Sequence, residues 1–185
     1  MTQSLPNAHY VGIKIANSAL YLHAAGEGTY MGNVVHAWPN AEVDNAKWIM
    51  VPHPTVSDHF GIMNKKSALC LNVAGGRAEE GNKVHLWDNP ESAHSAWSIV
   101  QKQQGVYIKA EIGDFVLTLY EPVTTKTKLY IARTGEILNE MQQTFVIEPL
   151  PDEEVSFPVA IDIETEQEDT NDEQHCQRCC GMFRQ

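Results

Sequence analysis

The chain has 185 residues and a formal net charge of −11, with 43% hydrophobic and 20% charged residues. This length suits one domain with an appendage, and no apolar run approaches the roughly 20 residues that cross a bilayer, so collagen-like, fully disordered and membrane-inserted chains are excluded. The acidic balance and the lack of a Lys/Arg stripe argue against nucleic acid as a partner.

Short strands separated by turns are predicted for the first 52 residues. Four segments of apolar or alternating residues are expected to be strands, namely 10–15, 20–24, 34–38 and 47–51. Asn-Ser, Gly-Glu-Gly and Pro-Asn turn signals separate them at intervals of about ten residues. The pattern sustains no helical period, so it predicts an all-β unit.

The same unit returns further along the chain. Residues 13–48 align without a gap to residues 62–97, a constant shift of 49 positions. The matched pairs include Leu22 and Leu71, Gly32 and Gly81, Asn33 and Asn82, Trp38 and Trp87, and Trp48 and Trp97. A third, fainter copy covers 106–147; its residues 115–119 correspond to 69–73, and it lacks the glycine turns and the first tryptophan.

Three four-stranded copies make twelve strands, which predicts a pseudo-threefold β-trefoil closed into a barrel without exposed sheet edges. The domain is expected over residues 8–150, with repeats at about 10–52, 59–101 and 105–150. Trp48, Trp97 and Phe145 end strands at matched positions and are predicted to be core residues. Cys70, in an apolar strand, is predicted to be a small core residue.

These motifs resemble the ricin-B-type, or R-type, lectins, most closely the intracellular fungal members. The second copy carries the resemblance in residues 69–73, Gly75-Gly76, 81–87 and Ser95-Ala96-Trp97. The resemblance implies a β-trefoil that binds carbohydrate. Where the family has a sugar-gripping Asp, this chain has His23, Asn72 and Thr118; where the family has the Gln of Gln-x-Trp, it has Ala46, Ser95 and Gln143.

A sugar offers an apolar face and a rim of hydroxyl groups, so its binder needs an exposed aromatic ring beside fixed polar groups. At the family's pocket position, the second copy supplies Asn72, His85, Trp87, Asp88 and Asn89. The first copy supplies His23, His36, Trp38, Asn40 and Asn45. The third copy offers no equivalent tryptophan, and either Tyr130 or Arg133 takes the analogous place depending on where the alignment gap lies.

The predicted function is that of a lectin with one or two glycan sites in the first two copies, with homodimerisation as a route to avidity. The alternative is a trefoil that binds no sugar and acts through its loops on protein, as cysteine protease inhibitors do. No nucleophile elbow or metal-ligand spacing occurs in the repeats, so neither an enzyme nor a metal or other cofactor is expected.

The last segment, 151–185, differs from the repeats. It contains ten acidic residues and two arginines, with few apolar residues, and is predicted to be a flexible tail. Its cluster of His175, Cys176, Cys179 and Cys180 suits a soft metal ion, acylation or oxidation, or has no function. At the other end, residues 1–7 lack the features of a signal peptide, so a cytoplasmic location is expected.

Overall fold

The repeated strand pattern of the sequence is realised in the computed structural model, which describes residues 9–26, 28–134 and 141–154. The first repeat forms β1 (His9–Ile15), β2 (Tyr21–Ala24), β3 (Val35–Trp38) and β4 (Lys47–Pro52). The second forms β5 (Phe60–Asn64), β6 (Cys70–Val73), β7 (Val84–Trp87) and β8 (Trp97–Lys102). The third forms β9 (Gly105–Ala110), β10 (Phe115–Tyr120), β11 (Tyr130–Arg133), β12 (Met141–Gln142) and β13 (Phe145–Glu154).

Six strands close a barrel. Antiparallel pairing runs from β1 to β4, β5, β8, β9 and β13, and β13 returns to β1, where Ile13 faces Ile147. The hairpins β2–β3, β6–β7 and β10–β11 are joined to one another by three isolated bridges: Val34 with His85, Lys83 with Tyr130, and His36 with Lys128. This arrangement confirms the predicted β-trefoil.

The matched core aromatics occupy equivalent buried positions. Trp48, Trp97 and Phe145 are each fully buried, as predicted. The indole N–H of Trp48 donates to the carbonyl of Leu22, and that of Trp97 donates to the carbonyl of Leu71, both at 2.9 Å. These bonds satisfy the polar atom of each ring, so the indoles bury their area without an unpaired donor. Cys70 is also buried.

A left-handed residue in the loop before the third strand of each repeat links that repeat to its neighbour. The backbone N–H of Gly32 donates to Leu86, that of Gly81 to Ile131 and that of Lys126 to Ala37. All three donors have positive φ angles, of 83°, 74° and 73°. Glycine adopts this conformation without strain, so the third repeat keeps the turn at a conformational cost through Lys126.

Two features of the described residues differ from the expected organisation. The strand β13 continues to Glu154, where it pairs with His9, so the sheet extends past the expected boundary at residue 150. The short strand β12 pairs with Leu119 and Tyr120 at the end of β10, which is two residues longer than β2 and β6. The acidic tail beyond Glu154, with its cysteine cluster, lies outside the described residues.

Within those described ranges, no helix is long and apolar enough to cross a membrane.

Candidate functional site

Two stacked pairs of aromatic rings stand at matched positions. His36 and Trp38 lie two residues apart on β3, and His85 and Trp87 do so on β7, so each pair shares one face of its strand. The ring centroids are 5.8 Å apart in the first pair and 5.2 Å apart in the second, with interplanar angles of 21° and 13°. Trp38 is 37% exposed and Trp87 38% exposed. Each imidazole therefore supports an indole that remains partly open to solvent.

Hairpin register identifies the corresponding residues of the third repeat. Trp38 faces Tyr21 and Trp87 faces Cys70, whereas the equivalent pair in the third hairpin is Ala132 with Val116. Tyr130 faces Thr118 just as His85 faces Asn72, so the tyrosine occupies the histidine position. Alanine fills the tryptophan position, and this hairpin has no indole platform.

A hollow of about 340 Å³ opens beside Trp87. Its lining residues are Asn72, Gly75, His85, Trp87, Asn89 and His94. Four of the five residues predicted for this site therefore come together, whereas Asp88 is exposed and lies outside the lining. The strand β7 ends at Trp87, and Asp88 lies in the bend that follows it.

His94 was missed by the sequence prediction. Its counterpart in the first copy, 49 residues earlier, is Asn45, which was predicted as a site residue. The alignment of the two copies therefore contained the information needed to predict His94. The imidazole of His94 packs against Gly76, where a side chain would collide with the ring. Gly76 also has a positive φ of 63°, so glycine suits this position for two reasons.

Hydrogen bonds hold the deep end of the second pocket in place. The side-chain amide of Asn72 donates to Oγ of Ser95 at 2.9 Å, and this hydroxyl donates to the carbonyl of Asn89, also at 2.9 Å. Asn72 and Ser95 are buried. Buried polar groups that are already paired keep fixed orientations, which preorganises this end of the pocket.

The hollow beside Trp38 is larger, at about 570 Å³. It is lined by His23, Trp38, Pro39, Asn40, Glu42, Val43, Asp44, Asn45 and Lys66. Four of the five residues predicted for this site lie in the lining, and the fifth, His36, supports Trp38 by stacking without lining the hollow.

Local hydrogen bonds set the shape of the first pocket. The side-chain amide of Asn45 donates to the carbonyls of Ala24 and Gly26 at 3.1 and 3.2 Å. Asn40 has a φ of 81°, and its side-chain oxygen accepts from the backbone N–H of Glu42 at 2.9 Å. Asparagine tolerates the left-handed region, so these two residues define the turns around the hollow.

Three histidines at the pockets, His23, His36 and His85, have pKa values below the ordinary value of 6.5 and are uncharged at neutral pH. Burial and the neighbouring His36 lower the pKa of His23 to about 4. Burial, with a smaller effect of Lys126, lowers the pKa of His36, and burial lowers the pKa of His85. A neutral imidazole has one donor nitrogen and one acceptor nitrogen, so these rings suit neutral polar ligands.

The neighbouring repeat borders each tryptophan differently. Gly32 lies beside Trp87, and its loop carries the exposed Tyr30 and Met31. At Trp38, the corresponding residue is Lys126, whose ammonium group lies 5.9 Å from the centre of the indole ring. A glycine therefore borders the indole of the second pocket, whereas a cation borders that of the first.

Metal binding has no structural basis in the described parts of the chain. Within residues 9–26, 28–134 and 141–154, no group of three or more His, Cys, Asp or Glu side chains could hold a metal ion. The four-residue cluster of the tail lies outside these ranges.

Several solved structures are similar to this chain over most of its length. The Rhizoctonia solani agglutinin has a TM-score of 0.67 and 18% identity, over 81% of this chain and 100% of its own. The Macrolepiota procera ricin B-like lectin, solved with lactose, has a TM-score of 0.63 and 18% identity, over 80% and 100%. The designed threefold-symmetric ThreeFoil has a TM-score of 0.66 and 16% identity, over 76% and 99%. At these identities the likeness establishes the fold.

No curated protein matches the chain at a significant level. The family model for the ricin-type beta-trefoil lectin domain-like family matches residues 4–87 and 54–131, which together cover more than half of the chain. Both matched segments contain a complete tryptophan-bearing hairpin, β2–β3 in the first and β6–β7 in the second. The chain therefore belongs to the ricin-type β-trefoil lectin domain-like family.

Proposed function

We propose that this protein is a lectin that binds glycans in the pockets beside Trp38 and Trp87. The observation that carries the proposal is the pair of half-exposed indoles, each beside a hollow lined by polar side chains. The apolar face of a pyranose ring stacks on an indole, and the polar lining engages its hydroxyl groups. Membership of a lectin family and the likeness to fungal lectins support carbohydrate binding in general.

The second pocket is the stronger candidate. Its indole has a glycine beside it rather than a lysine, and Asn72 is held by Ser95. Tyr30 and Met31, 64% and 54% exposed, lie two residues and one residue before the glycine that borders this indole. Shallow sugar sites bury little area, so we expect affinities of about −4 to −8 kcal/mol per site. Two sites, or self-association into a dimer, would raise the effective affinity by avidity.

The test is a glycan array probed with the full-length chain and with its Trp87→Ala and Trp38→Ala variants. Both variants are first checked for folding by thermal unfolding. We expect the wild type to bind at least one glycan class, with the larger loss of signal in Trp87→Ala. A folded wild type that binds none of the glycans contradicts the proposal.

The competing function is recognition of protein through a loop. The same Tyr30 and Met31 support it, because they are the two most exposed large hydrophobic residues in the described part of the chain. A double Tyr30→Ser, Met31→Ser variant separates the two functions. If this variant still binds glycan at the Trp87 pocket, the lectin function is supported. If the wild type inhibits a cysteine protease and this variant does not, the alternative is supported.

A further inference from the structure

The connection between the first and second repeats contains a buried histidine. This connection covers residues 53–59, and its ends meet where the backbone N–H of His53 donates to the carbonyl of His59 at 2.8 Å. Most of the loop is exposed, whereas His53 is only 6% exposed. Buried polar groups are nearly always hydrogen-bonded, so the partners of His53 indicate its role.

The hydrogen bonds of His53 join this loop to the second repeat. Its Nδ1 accepts from the backbone N–H groups of Thr55 and Val56 at 3.3 and 3.1 Å. Its Nε2 lies 3.1 Å from the carbonyl oxygen of Ser92 and donates to it, because a carbonyl oxygen only accepts. One side of the ring therefore holds its own loop, and the other side holds Ser92.

A second side chain of the loop binds the neighbouring peptide group. The hydroxyl of Thr55 donates to the carbonyl of Glu91 at 2.8 Å. Two consecutive carbonyls of the second repeat, those of Glu91 and Ser92, are thus bound by two side chains of the 53–59 loop. Two bonds at adjacent peptide groups restrict both the position and the orientation of this segment.

Ser92 lies between two residues that line the pocket beside Trp87, namely Asn89 and His94. It is bonded to both of them. Its backbone N–H donates to the carbonyl of Asn89 at 3.3 Å, and its hydroxyl accepts from the backbone N–H of His94 at 3.2 Å. A displacement of Ser92 would therefore displace the wall of the pocket on which these two residues lie.

The first copy carries different residues at the positions of His53 and Thr55. At the shift of 49 residues their counterparts are Ser4 and Pro6, which lie outside the described residues. The first copy therefore has no imidazole at the first position and no hydroxyl group at the second. The pocket beside Trp38 serves as an internal reference for any effect of His53 on the pocket beside Trp87.

We propose that His53 is a positioning residue of the second pocket, which touches no ligand but holds Asn89 and His94 in place through Ser92. This inference rests on the proposed function, since it concerns the affinity of one of the two glycan sites. A wall that is fixed before binding loses little conformational freedom when the ligand arrives, so the bond between His53 and Ser92 raises the affinity of this pocket.

The experiment follows the indole N–H signals of the 15N-labelled full chain by NMR. The probes are lactose and the methyl glycosides of galactose, glucose, mannose and N-acetylglucosamine. His53→Asn keeps an oxygen that accepts from the two backbone N–H groups of the loop but is too short to reach Ser92, whereas His53→Gln keeps an N–H group that reaches Ser92. We expect His53→Asn to weaken binding at Trp87 about three- to tenfold without changing the response of Trp38, and His53→Gln to restore most of the loss.

Two further variants separate positioning from a general loss of stability. His59→Asn is the matched control, because it alters the same loop, and its imidazole contacts Glu111 at 2.9 Å rather than the pocket wall. Thr55→Val removes the bond to Glu91 with little change in shape, and should weaken binding at Trp87 to a smaller extent. Without any ligand, the backbone N–H of His94 should exchange with solvent faster in His53→Asn than in the wild type.

The outcomes separate this inference from the proposed function. Unchanged affinity at Trp87 in both His53→Asn and Thr55→Val overturns the role of the 53–59 loop while the lectin function stands. An equal loss in His59→Asn, or an equal loss at Trp38, also overturns it, because the effect would then be one of general stability. If no probe shifts either signal, the proposed function fails and this inference fails with it.

Discussion

The pockets of the first and second repeats are built on equivalent hairpins with the same register, yet the residues that line them differ. Both have a stacked histidine and a half-exposed tryptophan. At the deep end of the first pocket, Ala46 has no polar side chain, and Nε2 of His23 has no hydrogen-bond partner. At the deep end of the second pocket, Asn72 donates a hydrogen bond to Ser95. The repeated residues therefore determine the scaffold, whereas a few residues that break the repeat determine which polar groups each pocket presents.

The largest expected effect tests the equivalence of the two scaffolds. Trp48→Ala and Trp97→Ala each remove a fully buried indole, and each should lower the free energy of unfolding by about 3–5 kcal/mol. Urea denaturation provides the measurement. Trp87→Ala is the control, since truncation of a half-exposed side chain should cost much less. A marked inequality between the two core variants would contradict equivalent scaffolds.

The pH dependence of stability should depend more on the first pocket. The pKa of His23 is about 4 in the folded chain and 6.5 ordinarily, so the unfolded chain binds more protons between these values. The free energy of unfolding should therefore fall as pH decreases from about 6.5 to about 4, with a share of about 2–3 kcal/mol from His23.

Urea denaturation at several pH values measures that slope. His85 and His36, whose pKa values are also lowered, add to it in the same direction. The variant His23→Leu should flatten the profile, and His85→Leu should do so to a smaller extent. An identical slope in wild type and His23→Leu would show that His23 is not held neutral in the folded state.

Different changes in stability are expected at the deep ends of the two pockets. At pH 7, His23→Leu removes an unpaired buried nitrogen, a gain of about 1 kcal/mol, but it also removes the hydrogen bond with the backbone of Asn40, a loss of similar size, so the free energy of unfolding should stay nearly unchanged. Ser95→Ala leaves the amide of Asn72 unpaired and should lower it by about 1–3 kcal/mol. Thermal unfolding measures both. A destabilisation by His23→Leu as large as that by Ser95→Ala would indicate that Nε2 already has a partner in solution.

The smallest expected effect concerns the residue that borders each indole. Lys126→Gly removes a side chain from a left-handed position and a cation from beside Trp38, and should stabilise the chain by about 1 kcal/mol. Gly32→Lys is the reciprocal variant at Trp87 and should destabilise by a similar amount. Quenching of the tryptophan fluorescence by acrylamide should increase in Lys126→Gly and decrease in Gly32→Lys. Unchanged quenching in Lys126→Gly would mean that Lys126 does not shield Trp38.

The sequence predicted the scaffold because its signals are local. Glycines in left-handed turns, and apolar residues at every second position of a strand, recur in the first two copies at a constant shift of 49 residues. Both kinds of residue constrain the local backbone directly. The pockets were predicted less completely: Asp88 lies outside the lining, and His94 was missed although Asn45 pointed to it. Lys126 lies beside Trp38 because the third repeat contacts the first. The sequence of either copy alone does not predict this contact.

The central claim is that glycans bind at Trp38 and Trp87 and not elsewhere on the domain. The chain has four tryptophans, so its 15N-labelled form gives four indole N–H signals that can be followed as a glycan identified on the array is added. Trp48 and Trp97 are buried and hydrogen-bonded to the backbone, and serve as internal controls. We predict that the Trp87 signal, the Trp38 signal or both will shift with saturation while the two core signals remain in place. A saturable glycan response that leaves both Trp38 and Trp87 unmoved would contradict the claim.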